Sequence, residues 1–460
     1  MMDSPCRRMP MPRLQCKDCH SGSKPMRPDL LDDNPSAWLA ELPPHEPGPA
    51  LRGDVAADVA VVGGGLTGIS TAWHLSERFP ERRIVVLEAR SLANGASGRN
   101  GGQVLNGIAG IEPDEPELAR RVHAATRMGI DVVEDLAARS RLPTGFVRSG
   151  CLEVYTSDRG AEAAQAHAER SASWGIPVEW RSGAVSGLRG VRGAVVDPTA
   201  ARVNAAALVR GLAPVLRERG VVIHEETPVL RIEEGATIAL ATPHGTVRAR
   251  AVVLATNAYT PLLGYFRSGI LPIHSHVVAT EPLPDALWSA LGWSAESGFH
   301  DDLDRLAYGC RTPAGRLVFG GGSNAAYAYR FGGVPVFAGS SEAGSAAVER
   351  RLREYLPGLE GVRIAHRWTG TLAITFDRVC AMGVTGASRN VFYALGYSGH
   401  GLALAALAGR VLRDLYSDDP EPWRGLPFLQ RRLPRIPPEP LRWLGYQVYT
   451  RLTGRSPRRR

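Results

Sequence analysis

The sequence has almost no lysine. Of its 460 residues only Lys17 and Lys24 are lysines, and both lie near the start. A Schiff-base mechanism needs a lysine amine, so that class of enzyme is excluded for the rest of the chain. No apolar run approaches the roughly 20 residues that span a bilayer, and the start lacks the apolar core of a signal peptide. We therefore expect a cytoplasmic protein with reduced thiols.

Acidic residues are scarce at the two ends of the chain, where positive charge is concentrated. The net charge is +8, yet residues 1–25 carry +3 and residues 424–460, with ten arginines and one glutamate, carry +9. The body between them is therefore slightly acidic. A basic groove that would bind nucleic acid is not expected there.

The cysteines give little indication of a metal site. The segment CKDCH at 16–20 has the spacing of haem attachment, and with Cys6 it offers part of a zinc site instead. The favoured interpretation is a disordered tail over residues 1–36 with no metal. The remaining cysteines share no ligand spacing and are expected to be core thiols: Cys151, Cys310 and Cys380.

The stretch DVAVVGGGLTGIS at 58–70 predicts a dinucleotide-binding turn. A short apolar run leads into the spacing G-x-G-x-x-G, a predicted helix from Ile69 to Arg78 and a second apolar run that ends at Glu88. Glycine allows the backbone to approach a pyrophosphate at the helix N-terminus. A carboxylate about 20 residues after the last glycine reaches ribose hydroxyls. These residues alone leave NAD and FAD both open.

A second glycine turn favours FAD. The segment GYSGHG at 396–401 lies between a predicted strand, Val391 to Leu395, and a predicted helix, Leu402 to Leu415. An extended dinucleotide with a redox-active ring needs two such turns, because a helix N-terminus stabilises the negative charge of a reduced flavin. The glycine-rich residues 91–110 suit backbone laid against a flat cofactor, or else form a flexible surface loop.

The motifs together resemble the FAD-dependent oxidoreductases of the D-amino-acid oxidase type. The resemblance extends from about Trp38 to Asp418 and rests on VVGGGLTG, LEA, GASGRNGG, VLATNAYTP, RWTG and GYSGHG. The segments SGRNGG and LPRIPPEPLRWLG look most like the gamma-glutamylputrescine oxidoreductase branch of that family.

The resemblance implies an α/β fold in which a discontinuous Rossmann-like FAD-binding domain carries a β-sheet-rich substrate domain, as in glutathione-reductase-like proteins. The FAD-binding domain is expected at 37–140, 199–262 and 363–420. The substrate domain is expected at 141–198 and 263–362, and a basic C-terminal extension with an amphipathic helix at 421–460.

The resemblance also implies which residues bind FAD. Those at the ADP half are Gly63, Gly65, Gly68 and Glu88. Those along the pyrophosphate and flavin are Ser97, Arg99, Asn100, Gly101 and Gly102. Those at the isoalloxazine are Gly399, His400 and Gly401, with helix capping as the alternative role for His400.

The sequence departs from the sarcosine oxidases of the family at two positions. Their flavin-linked cysteine is replaced by about Trp368–Thr369, and Cys380 lies elsewhere in the segment, so FAD is expected to be non-covalent. Their carboxylate-binding lysine, two residues after Gly-His-Gly, is replaced by Ala403. A small α-amino-acid substrate is correspondingly disfavoured.

The reaction that the resemblance implies is oxidation of an amine C–N bond by hydride transfer to flavin N5, followed by imine hydrolysis. Gamma-glutamylputrescine or a related polyamine derivative is the favoured substrate; an amino acid or N-methyl amino acid (glycine, sarcosine or a D-amino acid) is the alternative, and a non-catalytic flavoprotein subunit a lesser one. The candidate catalytic residues are Trp368, Tyr397, His400, His274 and His276. The two histidines of LPIHSHVV alternate along a strand, so the competing interpretation is a shared exposed face.

Many flavin oxidases of this kind use a lysine to help O2 accept electrons, and the body of this chain has none. The expected acceptor is therefore either O2, with a histidine or arginine supplying the positive charge, or a quinone or another carrier. The C-terminal helix would make peripheral contact with an anionic membrane or, as the favoured alternative, pack on its own domain. Its apolar residues fall near one face, with arginines nearby: Leu441, Leu444, Val448, Leu452, Trp443 and Tyr449, then Arg442, Arg451 and Arg455.

Overall fold

The computed structural model describes residues 35–453 except 186, 294–297, 304–305 and 323–341. The expectations for residues 1–34, including the CKDCH segment, lie outside the described residues. The α-helices are α1 (Ala37–Ala40), α2 (Leu66–Arg78), α3 (Pro116–Arg139), α4 (Asp158–Ser173), α5 (Ala205–Glu218), α6 (Asp285–Ala290), α7 (Glu342–Tyr355), α8 (Gly401–Tyr416) and α9 (Leu441–Thr453).

The strands are β1 (Val55–Val62), β2 (Ile84–Leu87), β3 (Gln103–Val104), β4 (Val147–Arg148), β5 (Cys151–Tyr155), β6 (Glu179–Ser182), β7 (Gly193–Asp197), β8 (Ala201–Arg202), β9 (Val222–His224), β10 (Arg231–Glu233), β11 (Ile238–Thr242), β12 (Gly245–Leu254), β13 (Leu271–Thr280), β14 (Gly298–Asp301), β15 (Ala307–Arg311), β16 (Leu317–Gly322), β17 (Ile364–Ile374), β18 (Ala381–Thr385) and β19 (Val391–Leu395).

The first large sheet is a parallel sheet with an antiparallel extension. Strands β9, β2, β1, β12 and β19 run parallel in that spatial order, while β10, β11 and β18 add antiparallel edges. Its central strands are buried along their length, as in a sheet covered on both faces. The fold class predicted from sequence is confirmed.

The second large sheet is mixed and has the spatial order β17-β13-β16-β15-β14-β5-β7-β6. A hairpin joins β15 to β16 with Arg311 opposite Leu317, as the sequence predicts. Helix α7 packs on this sheet, and Val348 and Leu352 join its hydrophobic core.

Strand β17 belongs to the second sheet, although the strands that follow it belong to the first. The sequence predicts that 363–420 belongs to the FAD-binding domain, but β17 pairs along its length with β13, from Leu271–Ile374 to Thr280–Ile364. The strands that follow, β18 and β19, lie in the first sheet. We therefore propose that the last domain boundary falls after Ile374, and the other boundaries stay as proposed.

Helices α2 and α8 pack beside the first sheet with their backbones in close contact. A Cβ placed at Gly409 of α8 would lie 2.3 Å from Ser70 Oγ of α2, and Ser70 Oγ donates to the Ala406 carbonyl at 2.6 Å. Helix α2 begins at Leu66, three residues before the predicted start, because Gly65 with extended backbone serves as its N-cap. Because Gly65 belongs to the first glycine turn, the N-terminal end of the helix lies at that turn.

Acidification is expected to destabilise the protein through His74 of α2. Burial, reinforced by four arginines, lowers the pKa of His74 to about 3. Below pH 6.5 the unfolded chain binds a proton that folded His74 does not, so stability is lost as the pH falls from about 6.5 toward 3. Between pH 7.5 and 4.5 this residue should account for about 3 kcal/mol of the loss.

The measurement is urea unfolding of wild type and His74→Leu at those two pH values. The variant should lose about 3 kcal/mol less than wild type on acidification, whereas substitution of the exposed His244 by leucine should leave the loss unchanged. Identical pH dependence of wild type and His74→Leu would contradict the assignment.

Candidate active site

A cavity of about 790 Å³ lies where the two large sheets meet. The carboxyl ends of β1, β2 and β12 open into it through Val62, Leu87 and Ala255, which is where ligands bind in sheets of this type. From the second sheet, β13, β14 and β15 contribute its opposite wall. Its volume is within the usual range of about 300–1,000 Å³ for ligand sites.

The first glycine turn is shaped by close backbone contacts. Gly63 has φ +112°, and a Cβ there would lie 2.8 Å from the Ala255 carbonyl oxygen. A Cβ at Gly68 would lie 1.9 Å from the Gly63 carbonyl oxygen. Gly65 is the N-cap of helix α2 and has no side chain to cap it. Because the N-terminal end of the helix dipole lies at the cavity, which Gly65, Leu66 and Thr67 line, this helix end suits a pyrophosphate.

Glu88 lies beside this turn, at the end of β2. Its carboxylate accepts hydrogen bonds from the backbone N–H groups of Gly64 at 2.7 Å and Arg90 at 2.9 Å. Burial raises the pKa of Glu88, and the nearby Glu225 acts in the same direction. Glu225 itself supports the neighbouring backbone by accepting from the N–H groups of Gly48 and Leu92.

Side chains from distant segments hold the glycine-rich loop 97–102 in place. Ser97 Oγ accepts from the Leu66 N–H at 2.8 Å. Trp38 of α1 donates to the Asn100 carbonyl at 2.7 Å, and a Cβ at Gly102 would collide with the Trp38 ring. Residues 91–109 are all buried or half-buried, so the alternative interpretation of 91–110 as a surface loop is wrong.

Arg99 is almost completely buried within this loop. Its guanidinium donates to the Asn94 carbonyl at 2.6 Å and the Thr369 carbonyl at 3.3 Å. These bonds tie the loop to β17 of the second sheet and fix the relative position of the two walls of the cavity.

The second glycine turn places another helix N-terminus at the cavity. Gly399 has φ +99°, and α8 begins after His400, whose side chain makes no capping hydrogen bond. Tyr397 Oη lies 2.9 Å from Thr67 Oγ1 of α2, so the two glycine turns are in contact. Burial raises the pKa of Tyr397 above its usual range, which keeps the phenol protonated.

Polar side chains of the second sheet face this turn across the cavity. The rings of His300 on β14 and His400 lie edge to face with centroids 6.4 Å apart. Tyr308 Oη lies 3.2 Å from Ser275 Oγ, and burial raises the pKa of Tyr308 to about 12. This phenol is therefore a hydrogen-bond donor at neutral pH.

The structure brings most of the predicted site residues to the cavity. Those that line it are Gly63, Gly65, Glu88, Ser97, Arg99, Asn100, Gly101, His274, Tyr397, Gly399, His400 and Gly401. Gly68 and Gly102 lie behind the wall, where each allows the close contact described above. Their placement is consistent with a supporting role in the two loops.

Two predicted catalytic residues, Trp368 and His276, do not line the cavity. Trp368 is fully buried and donates from Nε1 to the Arg99 carbonyl at 3.0 Å. His276 packs against Gly344 of α7, and burial lowers its pKa to about 4. The shared exposed face proposed for His274 and His276 is also wrong, since both are buried.

Several cavity residues were missed in the sequence. His300 and Tyr308 lie on short strands without a motif, and only strand pairing brings them opposite His400. A larger group comes from the C-terminal extension: Ile436, Pro437, Leu441, Arg442, Gly445, Tyr446, Tyr449 and Thr450. The amphipathic pattern of the last helix was visible, but its position over the cavity was not.

The charges of the cavity wall are mostly positive. Among the described residues that line it, Glu88 is the acidic one, whereas Arg90, Arg99, Arg378 and Arg442 are basic. Arg442 is held by the backbone carbonyls of Arg267 and Pro437. Such a wall favours ligands that carry negative charge.

The residues present fit FAD. Two helix N-termini in contact through Tyr397 and Thr67, a carboxylate at the end of β2 and a glycine-rich loop packed against the wall match the needs of a long dinucleotide. Within the described ranges no cluster of His, Cys, Asp and Glu is arranged to hold a metal ion. Nor does any described helix have the length and apolarity needed to cross a membrane.

Comparison with known proteins gives consistent matches. The sequence model of the family described as FAD dependent oxidoreductase matches residues 58–415. Gamma-glutamylputrescine oxidoreductase of Escherichia coli K12 is 29% identical over 405 residues, which cover 85% of this chain and 91% of that protein. Glycine oxidase of Geobacillus kaustophilus is 24% identical over 374 residues, with 78% and 92% covered. The crystal structure of glycine oxidase from Geobacillus kaustophilus superposes with a TM-score of 0.67 at 23% identity, covering 79% of this chain and 95% of that one.

Proposed function

Because the chain belongs to the FAD-dependent oxidoreductase family, we propose that it oxidises an amine that carries a carboxylate away from the reacting nitrogen, with gamma-glutamylputrescine as the best candidate. The chain is an FAD-dependent amine or amino-acid oxidoreductase. The finer choice of substrate is supported chiefly by the positive wall of the cavity, in particular Arg378 and Arg442.

The proposed reaction converts a primary amine to an imine, which water hydrolyses to an aldehyde and ammonia. FAD, when bound, supplies the acceptor for the hydride that leaves the carbon next to nitrogen. We propose that Tyr308, His300 and His400 surround the amine, where the protonated phenol of Tyr308 donates a hydrogen bond and the apolar walls exclude water. The reacting amine must be neutral, and a site with little negative charge lowers its pKa.

The position of Ala403 disfavours a small amino-acid substrate. Ala403 is completely buried, and its carbonyl lies 2.5 Å from where a Cβ on Gly129 of α3 would be. It is therefore part of a helix contact rather than of the cavity. Oxidation of an amino acid or N-methyl amino acid remains the second candidate because glycine oxidase is among the relatives.

We propose that FAD is bound non-covalently. The described cysteines Cys151, Cys310 and Cys380 are buried and outside the cavity lining. Burial raises the pKa of Cys380 to about 12, so its thiol is a poor nucleophile. The two electrons then pass to O2 or to a quinone or other carrier, and a quinone in a bilayer would require contact with a membrane.

The substrate proposal predicts selective bleaching of the flavin. Under anaerobic conditions gamma-glutamylputrescine should bleach the absorbance near 450 nm (about the maximum of oxidised flavin). Putrescine, glycine, sarcosine and D-alanine should bleach it slowly or not at all, because each lacks the remote carboxylate. Admission of air then tests O2 as acceptor.

Substitution of Arg378 tests the role of the positive wall. Arg378→Gln should raise the concentration of gamma-glutamylputrescine needed for half-maximal bleaching by about tenfold, the usual weight of one charge-assisted hydrogen bond. The matched control is Arg389→Gln, since Arg389 also has positive φ but is exposed and outside the cavity. Bleaching by an amino acid alone would replace the substrate proposal by the second candidate, and a flavin that no amine bleaches would favour a non-catalytic subunit.

A further inference from the structure

Helix α9 has two different faces. One face closes the cavity, through Arg442, Tyr446 and Thr450 among others. The other bears Leu444, Val448 and Leu452, and Leu441 lies at the border between the two faces. These four side chains form the outward stripe, and at 3.6 residues per turn they fall within an arc of about 80°. The helix is thus both part of the cavity wall and an apolar surface.

Four of the seven exposed large apolar side chains among the described residues belong to the outward stripe. The exposed fractions are 60% for Leu441, 53% for Leu444, 47% for Val448 and 79% for Leu452. The other three are Phe376, Tyr449 and Val147. Phe376, Tyr449 and Leu441 also line the cavity, so exposed apolar groups lie at its edge.

Arginines accompany this stripe. Arg451 lies between Val448 and Leu452 on α9, Arg432 and Arg435 precede the helix, and all three are exposed. Residues 424–460 contain ten arginines and a single acidic residue, Glu439. Apolar side chains flanked by arginine are the pattern of a helix that lies in the interface of an anionic bilayer.

We propose that the outward stripe of α9 docks the protein on an anionic phospholipid surface, with the cavity opening next to the bilayer. The charge of the segment selects this occupant over a second copy of the chain. A symmetric pair through α9 would bring the exposed Arg451 of each copy to the same apolar interface, whereas anionic headgroups neutralise this charge. The inference deepens the proposed function, because it names the partner surface from which a lipid-soluble acceptor would reach the cavity.

The test is sedimentation of the full-length, FAD-bound protein with vesicles of phosphatidylglycerol and phosphatidylcholine in equal parts, and with phosphatidylcholine alone. Wild type should pellet with the anionic vesicles and remain in solution with the neutral ones. Leu444→Glu combined with Val448→Glu should weaken binding about tenfold or more. Arg451→Gln should weaken it about fivefold, and high salt should weaken it further.

The matched control is Val147→Glu, because Val147 is an exposed aliphatic residue outside α9, at 40% exposure. This variant should bind as wild type does. Equal loss in Val147→Glu, or no preference for anionic vesicles, would overturn the proposal. Concentration-dependent self-association that the double variant abolishes, without vesicle binding, would identify a second copy as the occupant instead.

Amine-dependent bleaching in solution separates this inference from the proposed function. Leu444 and Val448 do not line the cavity, so the double variant should bleach as wild type does. If wild type binds anionic vesicles but no amine bleaches it, the proposed function fails and the docking surface stands. If bleaching occurs and vesicle binding does not, the docking proposal alone fails.

Discussion

Gly68→Ala should give a folded protein that loses FAD on purification. The new methyl group would lie 1.9 Å from the Gly63 carbonyl oxygen, and backbone cannot move aside as a flexible side chain can. Helix α2 must then shift away from the turn after β1. Since the proposed pyrophosphate site is made of this turn and the helix N-terminus, we expect FAD affinity to fall roughly 100-fold or more.

The measurement is the ratio of flavin to protein absorbance after gel filtration, followed by titration of the apoprotein with FAD. Gly361→Ala serves as the control, because a Cβ at Gly361 meets nothing within 4 Å. A Gly68→Ala protein with a full complement of FAD would show that the cofactor does not depend on this turn.

Asp301→Ala should destabilise the second sheet more than any surface substitution. The Asp301 carboxylate at the end of β14 accepts from Arg351 at 2.6 Å, Tyr355 at 2.7 Å and the Ala307 N–H at 2.9 Å. Its side chain is fully buried, and that of Arg351 is only 9% exposed. Removal of one partner leaves a buried charge, which typically costs about 3–5 kcal/mol.

Urea unfolding followed by tryptophan fluorescence measures this loss, because Trp288 and Trp293 pack in the same core as Phe299 of β14. Glu117→Ala is the matched control: the Glu117–Arg120 pair is 3.2 Å long, but Glu117 is 74% exposed, and such pairs contribute about 0–1 kcal/mol. A midpoint for Asp301→Ala equal to that of the control would mean that the buried network does not hold α7 on the sheet.

The two glycine turns show how much of the site could be predicted. Gly63 and Gly399 both adopt positive φ next to a helix N-terminus, as their spacing predicts. Each turn is specified by a few consecutive residues, so it can be recognised in a single sequence. The roles assigned to these residues in binding FAD stay predictions.

The substrate side of the cavity could not be predicted in the same way. His274 and His276 are identical in type and two residues apart, yet one lines the cavity and the other packs against α7. Trp368 lies in a recognisable motif but contacts the backbone of Arg99. Which residue faces a ligand here depends on what covers each part of β13 and β17, and those partners come from distant segments.

The parallel sheet, the two glycine turns, the family and the concentration of arginine at the C-terminus could all be predicted from the sequence, because each depends on local spacing or composition. The packing of distant segments was needed to show that β17 joins the second sheet, that His300 lies next to Tyr308 and faces His400, and that α9 closes the cavity while exposing an apolar stripe. The sequence pattern of a strand or an amphipathic helix shows that it has an apolar face, but not what that face packs against. The packing partner depends on the burial and hydrogen bonding of the whole chain.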